Sequence, residues 1–262
     1  MSATDAAGRT LRRRAVVVPG SGLEGWCIAA RPAPAALFLH GWDADRQEMA
    51  GPMAEAAALG LACLAYDLRG HGATCDQRGT VTPRQGLDDA HAALDLLAAS
   101  PGVDPEAMAV VGTSFGAWQA LLLTARRPVR WLVLRVPALY PDAAWETPKE
   151  SLDQAMLRHY RRQPPTAAQD RALAAAGAFG GEVLLVWSGR DEVLPADECQ
   201  AFNGAFPNAA ALTVRTITGA DHGLGRRQWR NEYRTLLRDW LQTSLMRLRH
   251  EALSRSLDPD PA

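Results

Sequence analysis

Val110-Val111-Gly112-Thr113-Ser114-Phe115-Gly116 is the stretch that decides how this chain is read. An apolar strand end runs into Gly-x-Ser-x-Gly, and a helix-like segment, Ala117 to Ala125, follows at once. Such a sequence makes a nucleophile elbow, a sharp strand-to-helix turn that lifts a serine hydroxyl above a sheet. A strained turn has no room for a Cβ two residues before or after the serine, and Gly112 and Gly116 remove it. Alone the pattern is weak, since average glycine and serine usage produces it by chance in about one chain in ten of this length. Its meaning rests on what surrounds it.

Outward from the elbow, short apolar runs alternate with helical periods. Arg12 to Val18 and Trp26 to Ala30 read as strands of a hairpin, after a loose leader over residues 1–10. Ala36 to Leu39, Leu61 to Tyr66, Met108 to Val111, Trp131 to Val136, Val183 to Trp187 and Leu212 to Ile217 read as strands, most of them wholly apolar, as buried parallel strands are. Helices are expected over about Arg46 to Leu59, Pro83 to Ala99, Pro195 to Phe206 and Trp229 to Leu241. Repeated strand-then-helix order predicts an α/β fold, a mostly parallel sheet of about eight strands with helices on both faces. Between Tyr140 and Gly180 the rhythm breaks, with helical pieces near Leu152 to Tyr160 and Ala167 to Ala176. That segment is too long for a plain crossover, so a small helical lid insertion is expected at about residues 141–180. The catalytic domain is expected over residues 12–242, followed by a tail over 243–262 whose Ser/Asp/Pro-rich end, from Ser254, frays.

The bulk properties agree with one globular domain. The chain has 262 residues, 47% hydrophobic and 22% charged, with a formal net charge of -1. That charge gives no reason to expect a nucleic-acid or membrane partner. Lys149 is the only lysine among many arginines, which reads as compositional bias. Cys27, Cys63, Cys75 and Cys199 are widely spaced, so reduced thiols are expected rather than disulfides or a metal site. The run Ala15 to Val18 after Arg12-Arg13-Arg14 is too short for a signal-peptide core, and a cytoplasmic location is expected.

The polar punctuation falls where an open α/β sheet places its ligands, just beyond strand ends. It comprises His40-Gly41-Trp42, Asp67, Ser114, Asp191 and His222. A serine needs a base to take its proton, and that base needs a group to hold its tautomer. His222, in a loop after the last strand, is the best base. His40 and His71 precede glycines in tight turns, His91 and His159 fall in helical segments, and His250 is in the tail. Asp191, after the penultimate strand, is the best orienting acid. Glu192 beside it is an alternative, Asp142 is the runner-up, and Asp221 is too close to His222 in sequence. The Phe115 N–H, opening a helix, is one donor for a developing oxyanion.

The order Ser114, Asp191, His222 resembles that of the α/β-hydrolase superfamily, over roughly residues 12–242. Asp67-Leu68-Arg69-Gly70-His71-Gly72 is similar to the family's Asp-x-Arg-Gly-His-Gly turn, which is structural there. The resemblance implies a second oxyanion donor in the His-Gly loop, at Trp42. His-Gly-Trp in place of His-Gly-Gly-Gly resembles the short-loop esterases. The expectation is therefore a serine esterase that forms an acyl-enzyme on small-molecule ester substrates, with no metal and no cofactor. A thioesterase or a peptidase of the serine-aminopeptidase kind stays open, and so does a non-catalytic ligand-binding relative. Trp42, Tyr140 and Trp145 are expected to bind substrate, while Trp118 and Trp187 read as core. Arg135, late in a strand, either pairs with a carboxylate or approaches the site and favours acidic substrates. Monomer and homodimer are both open.

Overall fold

A computed structural model describes residues 3–4, 10–11, 14–28 and 33–257. Eight strands form one sheet: β1 (Arg14–Val17), β2 (Glu24–Ile28), β3 (Ala33–Leu39), β4 (Ala62–Tyr66), β5 (Val103–Thr113), β6 (Trp131–Arg135), β7 (Glu182–Ser188) and β8 (Ala211–Ile217). Their order across the sheet is β1-β2-β4-β3-β5-β6-β7-β8. The β1–β2 and β2–β4 pairs are antiparallel, and every other pair is parallel. The expected hairpin is present, with Arg12, Arg13, Ala29 and Ala30 outside the described residues, as is most of the expected leader.

Among the described residues there are seven α-helices: α1 (Ala50–Ala58), α2 (Pro83–Ala98), α3 (Phe115–Thr124), α4 (Gln154–Arg162), α5 (Arg171–Ala178), α6 (Ala196–Asn203) and α7 (Arg227–Leu257). Alternate strand residues point to opposite faces, and both faces are buried. Leu37, Leu39, Val110 and Leu132 join Trp118 in one core. Phe38, Val111 and Val133 join Trp131, Tyr233 and Leu237 in the other. That two-sided burial explains why the strands read as unbroken apolar runs.

Three elements differ from the sequence expectation. The first helix starts at Ala50 rather than Arg46, and residues 46–49 form turns closed by bonds such as Met49 N–H to Arg46 O at 3.2 Å. Pro52 lacks an N–H and crowds the carbonyl four residues earlier, so it sits in the first turn of the helix. The last helix overruns Leu241 and continues to Leu257, because Leu245 extends its buried stripe beneath the sheet. Residues 243–257 therefore continue a helix, and the rest of the expected tail lies outside the described residues. The 141–180 segment also divides. Only its first part overhangs the strand ends, whereas α5 packs on α3 through Ala172, Leu173, Ala175 and Ala176 as an ordinary crossover helix.

The turn from β5 into α3 is packed backbone against backbone. A Cβ on Gly112 would lie 2.4 Å from Gly116 O and 2.5 Å from Ala117 Cα. One on Gly116 would lie 2.4 Å from the carbonyls of both Leu39 and His40. Backbone cannot yield as a flexible side chain does. Gly112→Ala should therefore destabilise the protein by about 2 kcal/mol or more. Gly79→Ala, where nothing lies within 4 Å, should be near neutral. Thermal unfolding of the two variants checks the contrast, and equal melting temperatures would contradict it.

Candidate active site

Ser114 follows β5 directly, and its backbone is forced to φ 52° and ψ -113°. This conformation is costly for a non-glycine residue and persists only where the surroundings over-determine it. Here the Ser114 N–H donates to Arg135 O at 2.9 Å, and the Ser114 carbonyl accepts from the Trp118 N–H at 3.0 Å. The turn leaves the side chain above the ends of β3, β5 and β6.

His222 reaches the serine from the loop after β8, with Nε2 3.0 Å from Ser114 Oγ. Its Nδ1 lies 2.8 Å from Asp191 Oδ2 and 3.0 Å from Oδ1. A carboxylate only accepts, so Nδ1 carries the proton and Nε2 is left to accept from the hydroxyl. The two loops are tied by the Gly189 N–H to Ile217 O at 2.9 Å and the Arg190 N–H to Ala220 O at 2.8 Å. Burial works to raise the Asp191 pKa. The hydrogen bond and charge of His222, with the Leu194 and Val193 N–H groups, outweigh it and leave the carboxyl below its ordinary value.

The rival acids are engaged elsewhere. Glu192 reaches only the His222 N–H, at 3.5 Å. Asp221 accepts from the Gly225 N–H, and Asp142 pairs with Arg171 at 2.8 Å. The structure thus brings Ser114, His222 and Asp191 together in an arrangement that can pass a proton from hydroxyl to imidazole.

Phe115 opens α3, so its N–H has no partner within the helix. Among the described residues, the Trp42 N–H also has no hydrogen-bond partner. The two rings meet edge to face at 5.0 Å, which joins the His-Gly-Trp loop to the elbow. His40 holds that loop from beneath. It donates from Nδ1 to Gly41 O at 2.6 Å and accepts at Nε2 from the Leu68 N–H at 2.9 Å. Burial lowers its pKa to about 4, which keeps the ring neutral. His71 hydrogen-bonds the Trp42 carbonyl, while Asp67 accepts from the Arg46 N–H at 2.8 Å and Arg69 pairs with Asp89 at 2.6 Å. The Asp67 to Gly72 turn is thus a structural brace.

Arg135 pairs with a carboxylate and also lines the space beside Ser114. It is 3% exposed, donates to the His222 carbonyl at 2.7 Å, and pairs with Glu48 at 3.3 Å. Glu48 accepts from the Gly41 N–H at 3.0 Å with its other oxygen. One buried guanidinium therefore links the loop of His222 to the loop of Trp42. Glu48 gave no sign of this in the sequence, where it looks like a surface residue of a helix.

A cavity of about 410 Å³ opens beside Ser114, lined among others by Trp42, Tyr140, Lys149, Leu157, Arg161 and His222. Trp42 and Tyr140 are therefore where they were expected, but Trp145 is not a lining residue. Its ring packs against Trp118 at 6.1 Å and lies under the Arg171 guanidinium at 4.0 Å, which turns it towards α5. Lys149 and Arg161 were missed, and the only hint was that Lys149 is the sole lysine. A larger cavity, about 700 Å³, lies around Pro105, Gly181 and Glu182, at the amino ends of the strands and remote from Ser114. Among the described residues, no three His, Cys, Asp or Glu side chains gather as a metal site. No described helix is long and apolar enough to cross a membrane.

Comparison with known proteins places the chain in a family and its fold among solved structures. The sequence profile of the alpha/beta hydrolase family matches residues 36–253. Two uncharacterized proteins of Mycobacterium tuberculosis, from different strains, are each 32% identical over 183 residues. The match covers 68% of this chain, and the chain spans 60% of the length of those relatives. Solved structures share the fold at low identity. Est1E of Butyrivibrio proteoclasticus with ferulic acid bound has a TM-score of 0.67 at 17% identity, over 88% of this chain and 99% of that one. A monoacylglycerol lipase of Paleococcus ferrophilus has a TM-score of 0.65 at 16% identity, over 84% and 98%. A dienelactone hydrolase of Anabaena variabilis has a TM-score of 0.64 at 18% identity, over 89% and 97%.

The neutral His40 has a consequence for stability. Its folded pKa of about 4 lies below the ordinary 6.5, so between these values the unfolded chain binds the extra proton. Its stabilising contribution is complete above about pH 6.5 and is lost as pH falls towards 4. The melting temperature should fall over that window, and less steeply in His40→Gln. Parallel curves for the two proteins would remove His40 as the cause.

Proposed function

The chain belongs to the alpha/beta hydrolase family, and within it we propose a serine hydrolase that cleaves carboxylic esters of small or medium acyl groups through an acyl-enzyme. The observation that carries this reading is the continuous chain from Ser114 Oγ to His222 Nε2 at 3.0 Å and from Nδ1 to Asp191 at 2.8 Å, built on a strained serine backbone. Structural strain of that kind is retained where it serves to present a side chain. Fold neighbours named as a lipase and a dienelactone hydrolase agree with hydrolysis.

In the proposed reaction Ser114 Oγ attacks the acyl carbon while His222 Nε2 takes its proton. Asp191 fixes the imidazole and offsets the charge that forms on it. The Phe115 and Trp42 N–H groups receive the negative charge on the carbonyl oxygen, already oriented and held in place. His222 then gives its proton to the leaving alcohol. Water, deprotonated by the same imidazole, releases the acid and restores Ser114. Arg135 acts through its neighbours, keeping the His222 and Trp42 loops in register. A cavity of about 410 Å³ lies near the lower end of the range for small-molecule sites, which supports compact substrates.

A fluorophosphonate probe should label Ser114 in the folded protein, and the label should be absent from Ser114→Ala. A folded protein that takes no label at any probe concentration would end this reading. With a panel of p-nitrophenyl esters, Ser114→Ala should lose at least about 10⁴-fold in kcat. Asp191→Asn should lose about as much, because the imidazole would then be held in the wrong tautomer. Graded acyl lengths, run beside thioesters and aminoacyl anilides, separate the ester reading from the thioester and peptide ones.

A further inference from the structure

We propose that the cavity beside Ser114 recognises an ester bearing a second, anionic carboxylate, and that Lys149, seated on the rings of Trp42, Phe115 and Tyr140, binds that carboxylate. The proposal rests on the hydrolase reading and names its substrate class.

The placement of Lys149 is specific. Its Nζ stands 4.5 Å from the centre of the Trp42 ring and 5.8 Å from those of Phe115 and Tyr140. Lys149 and Ser114 line the same cavity, and Trp42 and Phe115 are also the residues whose backbone N–H groups are free beside the serine. Ring faces attract a cation but do not replace a carboxylate. Among the described residues, no carboxylate pairs with Lys149. The two acids whose charge acts on it, Asp43 and Glu150, are both paired with Arg78, at 2.5 Å and 2.9 Å. A half-buried ammonium without an ionic partner is costly, and an incoming anion removes that cost.

The rest of the cavity adds positive charge. Arg161, 7% exposed on α4, lines it, and its carboxylate partner Glu198 is 3.7 Å away. Burial pushes the Glu198 pKa up to about 8, which weakens the compensation this partner gives Arg161. Of the other charged groups lining the space, Asp43 is paired with Arg78, Arg135 and Glu48 neutralise each other, and His222 is engaged by Asp191. Burial lowers the Lys149 pKa to about 8, while Asp43 and Glu150 pull it up and Arg161 and Arg78 push it down. Lys149 is therefore charged at neutral pH and loses its proton on mild alkalinisation. Purely structural filling of the aromatic cluster would need only an apolar chain of similar length.

The test uses the full chain carrying Ser114→Ala, titrated by calorimetry with monobenzyl glutarate and with its neutral methyl ester. The monoanion should bind at least about tenfold more tightly than the diester near pH 7. Adding Lys149→Met should abolish that preference. With Lys149 present, the preference should fall as pH rises through about 8. Lys149→Arg should keep the preference above that pH, because a guanidinium stays charged. Equal binding of the two ligands, no binding of the monoanion, or a preference that survives Lys149→Met would each overturn the proposal. Because the serine is absent from the test protein, these results are independent of whether the wild type hydrolyses esters.

Discussion

The backbone at Ser114 is held in a conformation that a serine avoids, and most of the site follows from how that is achieved. Gly112 and Gly116 let the start of α3 touch the end of β5 and the carbonyls of Leu39 and His40. A side chain at either position would force the helix away from the sheet. With both absent, three strand ends and one helix start converge within a few ångströms. The serine hydroxyl, the Phe115 N–H and the His-Gly-Trp loop are then neighbours by construction. The positive helix N-terminus adds a favourable field for an anion at the same place.

Around this fixed point the site is held by buried polar ties rather than by apolar packing alone. His40 bonds the His-Gly-Trp loop to Leu68, and His71 bonds the Trp42 carbonyl. Arg135 and Glu48 connect the His222 carbonyl to the Gly41 N–H. Breaking one member of such a network leaves another buried group unpaired, which costs more than the bond is worth when intact. The strands supply a rigid base, and these side chains set the spacing of the loops above it. The same arrangement explains why Arg135 tolerates burial: it satisfies a carbonyl and a carboxylate at once.

The walls of the cavity have a different character from its floor. Tyr140, Lys149, Leu157 and Arg161 come from the segment that overhangs the strand ends. This segment is short, because α5 returns to cover α3 and takes Trp145 with it. The proposed selectivity for a carboxylate therefore depends on a few residues between Tyr140 and Arg161. Loops of this kind are where related folds vary function while the scaffold persists.

Much of this was legible in the sequence. Unbroken apolar runs fixed the strands, since both faces of a parallel sheet are buried. Glycines two residues either side of Ser114 marked the elbow, because backbone contact forbids a Cβ there. Asp191 and His222 could be selected because each follows a late strand. Other features depended on directions that one-dimensional spacing does not encode. Position after the penultimate strand ranked Asp191 first, but only the fold shows that its oxygens, and not those of Glu192 or Asp142, face Nδ1. Glu48 and Arg135 became partners only when the turns before α1 met the end of β6. Trp145 turned away and Lys149 turned in because packing against Trp118 and Arg171, or against Trp42, sets rotamers that the sequence leaves free. The chain alone determined which residues stand at the strand ends, since local backbone physics decides that. Which side chains share the cavity was decided by long-range packing.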